Sequence, residues 1–153
     1  MKTVVQRVTR AEVRVGGELI GRVGVGCLLL VGVERGDGEP DADVTARKIA
    51  ALRMFPGKTP MDRTLAEVGG GCLVVSQFTL AASLGKGNRP SFEPAEEPGR
   101  AELLYARVAD QLAEIGLPVA RGRFGADMQV DLSNDGPVTF LVFTRDGQLA
   151  KTP

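Results

Sequence analysis

From Thr3 to Val15 apolar and polar side chains alternate, with Val4 and Val13 to Val15 apolar and Arg7, Arg10 and Arg14 interleaved, which predicts a long strand. Gly16-Gly17 turns it, and Leu19 to Val23 returns as a second strand. Cys27 to Val33 is a continuous apolar run, the pattern of a strand covered on both faces. After a polar loop rich in glycine, Asp41 or Asp43 is placed to cap a helix reaching about Phe55, with Ala46, Ile49 and Leu52 inward. A second helix spans from about Ala95 or Pro98 to Ile115. Its apolar stripe reads Leu103, Leu104, Val108, Leu112 and Ile115, and Gly116 ends it. Three more strands follow, over Val119 to Phe124, Met128 to Leu132 and Val138 to Phe143, the last two joined by a turn at Ser133-Asn134-Asp135-Gly136-Pro137. Residues 144–153 read as a polar C-terminal tail. The predicted order is β-β-β-α-β-α-β-β-β in a single mixed α/β domain spanning 1–153.

Between the two helices one stretch breaks the pattern. Gly69-Gly70-Gly71 free the backbone, Cys72 to Val75 form a buried strand, and Ser76-Gln77-Phe78-Thr79 then place two hydroxyls and an amide around one aromatic where that strand surfaces. Such a tetrapeptide is either a strand end whose hydroxyls satisfy their own turn or the edge of a site. The glycines do not make a phosphate-binding loop, because they precede a strand and no Gly-Lys-Ser/Thr follows. Further on, Lys86 and Arg89 sit in a segment without an acid, a solvated loop or a contact for phosphates.

Composition narrows the chemistry. A chain of 153 residues can remove about 70% of its unfolded surface from water as one domain. No apolar run reaches the ~18 residues of a membrane span, and the first residues lack a signal-peptide core, so the expected location is the cytoplasm. The chain has no histidine and two cysteines, Cys27 and Cys72, both in apolar runs where buried free thiols are expected. That composition removes His-based triads, Cys-His dyads and nearly every imidazole or thiolate zinc site. Neither a metal nor a cofactor is expected, since no carboxylates cluster near Ser76 to Thr79. A net charge of zero and a pI near 6.3 give no global basic footprint for nonspecific RNA binding.

Five motifs, in order along nearly the whole chain, carry a resemblance. They are Gln6-Arg7; Ser76-Gln77-Phe78-Thr79-Leu80; Lys86-Gly87-Asn88-Arg89-Pro90-Ser91-Phe92; Gly122-Arg123-Phe124-Gly125-Ala126-Asp127-Met128; and Asn134-Asp135-Gly136-Pro137-Val138-Thr139. Together they resemble the D-aminoacyl-tRNA deacylase family. The resemblance implies β/β/α layers and a cytoplasmic homodimer that hydrolyses the ester between a D-amino acid and the terminal ribose of tRNA, and that also removes mischarged glycine. By matching motif, the pocket for the 3′-terminal adenosine and the aminoacyl group falls on Ser76, Gln77, Phe78 and Thr79. The family's chirality-screening cis Gly-Pro, which reaches into the partner subunit's pocket, matches Gly136-Pro137. Arg7 matches the arginine associated with holding that dipeptide cis, and Lys86 and Arg89 are candidate tRNA contacts. The animal relatives with a trans Gly-Pro differ at Arg7 and in the Ser-Gln-Phe-Thr motif, so this chain resembles the D-specific branch.

An ester is already activated, and backbone N–H groups near Phe78 and Thr79 holding the developing oxyanion supply a large share of the rate, each donor being worth roughly 10²–10³. Two mechanisms remain: Thr79 as nucleophile, without an obvious base to activate it, or assistance by the RNA's own 2′-hydroxyl, towards which the resemblance leans. The competing class is a dimeric module that binds aminoacyl-tRNA or another nucleotide without hydrolysing it.

Overall fold

In the computed structural model, which describes residues 1–85 and 87–151, strand β1 (Lys2–Val15) is the spine of the sheet. Gly16 and Gly17, both at positive φ, turn it into β2 (Glu18–Val23), and β3 (Gly26–Gly32) follows. Helix α1 (Glu39–Ala51) leads to β4 (Gly71–Ser76) and a 3-10 turn over Phe78–Ala81. Helix α2 (Pro98–Glu114), β5 (Val119–Arg121), β6 (Met128–Arg145) and β7 (Gln148–Ala150) complete the chain. The strands order as β5-β4-β3-β1-β6-β7, with β2 beside the far half of β1.

Strands β3, β4 and β5 are parallel, so α1 and α2 are their crossovers; a strand order that always moves one way puts both helices on one face. Cys27, Leu29, Val31, Cys72 and Val74 point to that face and pack with Ala46, Ile49, Leu104, Tyr105, Val108 and Leu112. Their alternates Leu28, Leu73 and Val75 point the other way, into a second core with Val8, Ala11 and Val13. Irregular register between Gln6 and Arg10 carries β1 from the first core to the second. The outcome is a single mixed α/β domain with helices, sheet and folded-over sheet in three layers.

Several elements depart from their expected limits. The predicted count of three final strands holds for a different reason. Ser133 to Pro137 does not reverse the chain, because β6 runs unbroken past it: Gln6 pairs with Thr139 and Val8 with Asn134, so the intervening residues bulge out of one continuous ladder. Residues 144–150 of the predicted polar tail are strand and turn, and 152–153 lie outside the described residues. Thr144 and Arg145 end β6, and Asp146 and Gly147, both at positive φ, form a hairpin turn into β7, which pairs back on β6. Strand β5 stops at Arg121 rather than Phe124.

Helix α1 ends at Ala51, although Met54 and Phe55 beyond it are buried. Its N-cap is Gly38, neither Asp41 nor Asp43. Asp41 instead accepts the Gly38 N–H at 2.9 Å, and Asp43 takes a bidentate pair with Arg107 of α2 at 2.7 and 2.9 Å. On α2 the buried stripe is Ala101, Leu104, Tyr105, Val108 and Leu112, while Leu103 and Ile115 are exposed. The two free thiols are buried and touch, with sulfurs 3.6 Å apart. Among the described residues no helix is long and apolar enough to cross a membrane.

Candidate functional site

The end of β4 is where the buried sheet opens. Ser76 is half-buried at the last register position opposite Val31, and the Gln77 N–H still reaches the Val31 carbonyl at 2.8 Å, after which the backbone leaves the sheet into the 3-10 turn. Gly32 makes that turn fit: a Cβ there would meet the Leu80 Cβ at 2.8 Å and the Gln77 carbonyl at 2.9 Å. A site at the carboxyl end of a parallel strand is where open α/β sheets bind ligands.

A cavity of about 250 Å³ lies against this end, lined by residues 75–78 on one side and by residues 125–128 with Val130 on the other. The second wall is the connection from β5 to β6. Gly122 donates its N–H to the Val74 carbonyl, and its lack of a Cβ admits the Met128 sulfur, which a Cβ would meet at 2.7 Å. Gly125 turns with positive φ. Behind the cavity Tyr105 of α2 donates its hydroxyl to the same Val74 carbonyl at 2.8 Å, and burial pushes its pKa up to about 12.

Ser76, Gln77 and Phe78 line the cavity; Thr79 does not. The Thr79 hydroxyl oxygen accepts a hydrogen bond from the Gln77 side-chain amide. Among the described residues the Phe78 and Thr79 N–H groups donate to no acceptor, whereas Gln77 and Leu80 on either side are engaged, to Val31 and Gln77. Two adjacent backbone donors are therefore available beside the cavity. Phe78 is 58% exposed and meets Phe92 edge to face at 5.1 Å.

Gly136 and Pro137 lie on β6, exposed, joined by a cis peptide bond, and neither lines this cavity. Arg7 lies beneath their bulge, almost fully buried. Its Nη1 donates to the Met54 carbonyl, and its Nε sits 2.8 Å from Asp135 Oδ2 as an ion pair without the angle of a hydrogen bond. Gln6 donates to Asn134 at 3.3 Å, so both residues of the first motif reach the segment ahead of Gly136. Arg89 is exposed, in a loop closed by backbone bonds between Ser83 and Ser91, and Lys86 lies outside the described residues. Thus Ser76, Gln77 and Phe78 share one cavity, Arg7 joins the Asp135 segment, and Gly136-Pro137 and Arg89 stand apart from it within the chain.

Sequence reasoning gave no role to Gly125, Ala126, Asp127 and Met128, although it noted their motif. The pairing of β5 with β4 and the return of β6 beside β1 bring them opposite Ser76, and among the described residues Asp127 is the one titratable side chain on the cavity wall. The described residues hold no cluster of three or more metal-ligating side chains. The cysteines face the helices, away from the cavity; the Cys72 thiol that it bonds and burial push the Cys27 thiol well up, so it stays neutral.

A family model described as D-Tyr-tRNA(Tyr) deacylase matches residues 4–143. A protein of Anaeromyxobacter dehalogenans named D-aminoacyl-tRNA deacylase is 55% identical over 146 residues, covering 95% of this chain and 98% of that protein. Its namesake in Paracoccus denitrificans is 52% identical over 147 residues, covering 95% and 99%. A solved structure described as the c-Myc DNA unwinding element binding protein superposes with a TM-score of 0.88 at 40% identity, covering 94% of this chain and 99% of the other. A probable eukaryotic D-amino acid tRNA deacylase shares the fold at a TM-score of 0.74 and 16% identity, covering 92% and 97%.

Proposed function

This chain belongs to the D-Tyr-tRNA(Tyr) deacylase family, and we propose that it hydrolyses D-aminoacyl-tRNA, and mischarged glycyl-tRNA, in the cavity at the end of β4. The observation that carries this use of the cavity is the pair of unengaged N–H groups on Phe78 and Thr79. In this reading the terminal adenosine and aminoacyl group sit between residues 75–78 and the 125–128 wall, and the two N–H groups receive the ester oxygen as it gains charge. Water attacks the ester carbonyl with help from the ribose 2′-hydroxyl, the carbonyl–ribose bond breaks, and the ribose oxygen leaves with a proton. In this reading Thr79 is not the nucleophile: the Gln77 amide that bonds its hydroxyl is a donor and not a base that could take its proton, and the chain has no histidine.

Selectivity for D over L is assigned to the main chain of Gly136-Pro137 from a partner subunit. A pocket for many amino acids can read only their shared atoms, and a rigid backbone can accept from the α-amino group while crowding an L side chain. A 10⁴-fold preference corresponds to about 5.5 kcal/mol at the transition state, which steric exclusion supplies more readily than one flexible side chain. Support for a homodimer comes from the same strand. Leu141, 61% exposed, continues a cross-strand row with Val4 and Leu30 on the face away from the helices, and Gly136 and Pro137 stand exposed on β6. Lys86 and Arg89 are assigned to the tRNA backbone, and the cytoplasm, where tRNA is charged, is the proposed location.

The test is release of amino acid from paired D- and L-aminoacyl-tRNA by the purified protein. Fast release of the D form with the L form spared is expected. Binding without release would instead favour the binding module, and equal release of both enantiomers would reject the role of Gly136-Pro137.

A further inference from the structure

Phe78 and Phe92 form an exposed aromatic surface that the cavity alone does not use. One wall of the cavity ends at Phe78, and Phe92 meets that ring edge to face at 5.1 Å with an interplanar angle of 64°. Both rings keep much of their surface in water, at 58% and 41% exposure. An edge-to-face pair leaves ring faces uncommitted, so a flat partner can lie on one of them. Phe92 follows directly on a loop closed by two Ser83–Ser91 backbone bonds, and Arg89 on that loop makes no ion pair among the described residues. Exposed rings beside a cation that lacks an acid are the components with which proteins hold single-stranded nucleic acid: successive bases stack on the rings and the cation tracks the backbone.

We propose that the Phe78–Phe92 pair is a stacking subsite for the nucleotide preceding the terminal adenosine of tRNA, with Arg89 serving the intervening phosphate. The inference rests on the deacylase reading of the cavity. It extends that reading from the terminal residue to the strand leading to it. Continuity favours this occupant, because Phe78 belongs to the cavity wall and to the pair at once, so these rings adjoin the last residue of a strand that fills the cavity. The sequence-independent character of stacking suits an enzyme that accepts many tRNAs sharing one single-stranded end.

The experiment compares two substrates, D-aminoacyl-tRNA and D-aminoacyl-adenosine, the second lacking every nucleotide but the last. Phe92→Ala is expected to raise KM for the tRNA relative to that for the adenosine ester by about five-fold or more, the lower end of what one base–ring stack is worth. Phe92→Leu keeps apolar bulk without the ring and shows the same relative loss, whereas Phe92→Trp restores it. Arg89→Gln raises KM for the tRNA alone and flattens its salt dependence. Urea midpoints within experimental error of wild type establish that the variants fold. A ratio of KM values within two-fold of wild type in both Phe92→Ala and Phe92→Leu overturns the subsite while leaving the deacylase reading intact. Conversion of a wild-type dimer into a monomer by Phe92→Leu also overturns it, because a second copy then covers the rings. Failure of the wild type to hydrolyse either ester overturns the deacylase reading itself.

Discussion

Replacing Arg7 by methionine tests the link between the buried spine of the sheet and the exposed Gly136-Pro137 segment. Methionine keeps an apolar stem of similar reach and removes the guanidinium. Two contacts go with it: the hydrogen bond to the Met54 carbonyl, which accepts from no other backbone donor among the described residues, and the ion pair with Asp135. A charged donor on a buried carbonyl is worth about 1.5–3 kcal/mol. The ion pair adds ~0–1 kcal/mol, because the Asp135 side chain is 42% exposed and rehydrates when left alone. Relief of the desolvation of a buried guanidinium offsets part of this, so the expected net loss is about 1–3 kcal/mol. In urea unfolding followed by circular dichroism, the midpoint falls while the slope is unchanged. Because Asp135 immediately precedes Gly136, the variant also loses at least about ten-fold in the D/L ratio of kcat/KM, or about 1.4 kcal/mol of discrimination. Arg7→Lys keeps the charge but cannot reach both partners, and falls between the two. A methionine variant with the wild-type midpoint and undiminished selectivity would refute the reasoning.

Thr79→Ala retains a substantial part of the activity, whereas a substrate lacking the terminal 2′-hydroxyl is hydrolysed poorly; a folded but inactive variant together with a trapped acyl-Thr79 species would establish the nucleophile mechanism instead. Tyr105 is the only tyrosine, and there is no tryptophan, so an ultraviolet titration reads it directly, with a midpoint of about 12 in the folded protein. The unfolded phenol titrates near 10. The stability from this raised pKa is therefore full below about pH 10 and lost as pH rises through 12, and a midpoint of 10 in folded protein contradicts the burial. Tyr105→Phe costs about 0.5–1.5 kcal/mol, since the Val74 carbonyl keeps its bond from Gly122. Asp43, held below the usual carboxylate range by its hydrogen bonds from Arg107, contributes stability above the unfolded pKa that disappears as pH falls. The gap in stability between wild type and Asp43→Asn narrows as pH falls through and below the usual carboxylate range, and a gap undiminished by acid counts against the pair. Chelators leave hydrolysis intact, apart from any Mg²⁺ needed to fold the tRNA; full loss restored by one divalent ion would show a metal in the reaction.

Where local pattern decides structure, the sequence was sufficient. Alternation found β1, continuous apolar runs found β3 and β4, and the polar break after Val75 located the turn that edges the cavity. Where a distant partner decides, it was not. Ser133 to Pro137 has the composition of a turn, and only the β1 backbone, bonding on both sides of it, keeps β6 continuous. The wall at Gly125 to Met128 is assembled by topology, so nothing in its own residues announces a cavity. Leu103 looks as apolar as Leu104 in one dimension, but the arc of α2 that faces the sheet runs through Ala101, Leu104, Tyr105, Val108 and Leu112, and Leu103 falls outside it. The β7 hairpin is legible in the chain: Asp146-Gly147, set between Val142-Phe143 and Leu149-Ala150, is a strong short-range turn signal.

The pairing of β1 with β6 has a consequence for synthesis. Lys2 lies opposite Phe143 and Val15 opposite Met128, so each rung joins the two extremes of the described chain. A polypeptide emerging from the ribosome can form β1, β2 and β3 early, but β1 then presents one edge of unpaired N–H and C=O groups until nearly all of the remaining residues have been made. Closing so long a loop must precede the contacts that repay it, which places this topology among slow folders. Chains cut short before β6 thus carry a hydrophobic, edge-exposed ribbon, and they are the species that a chaperone would have to shield.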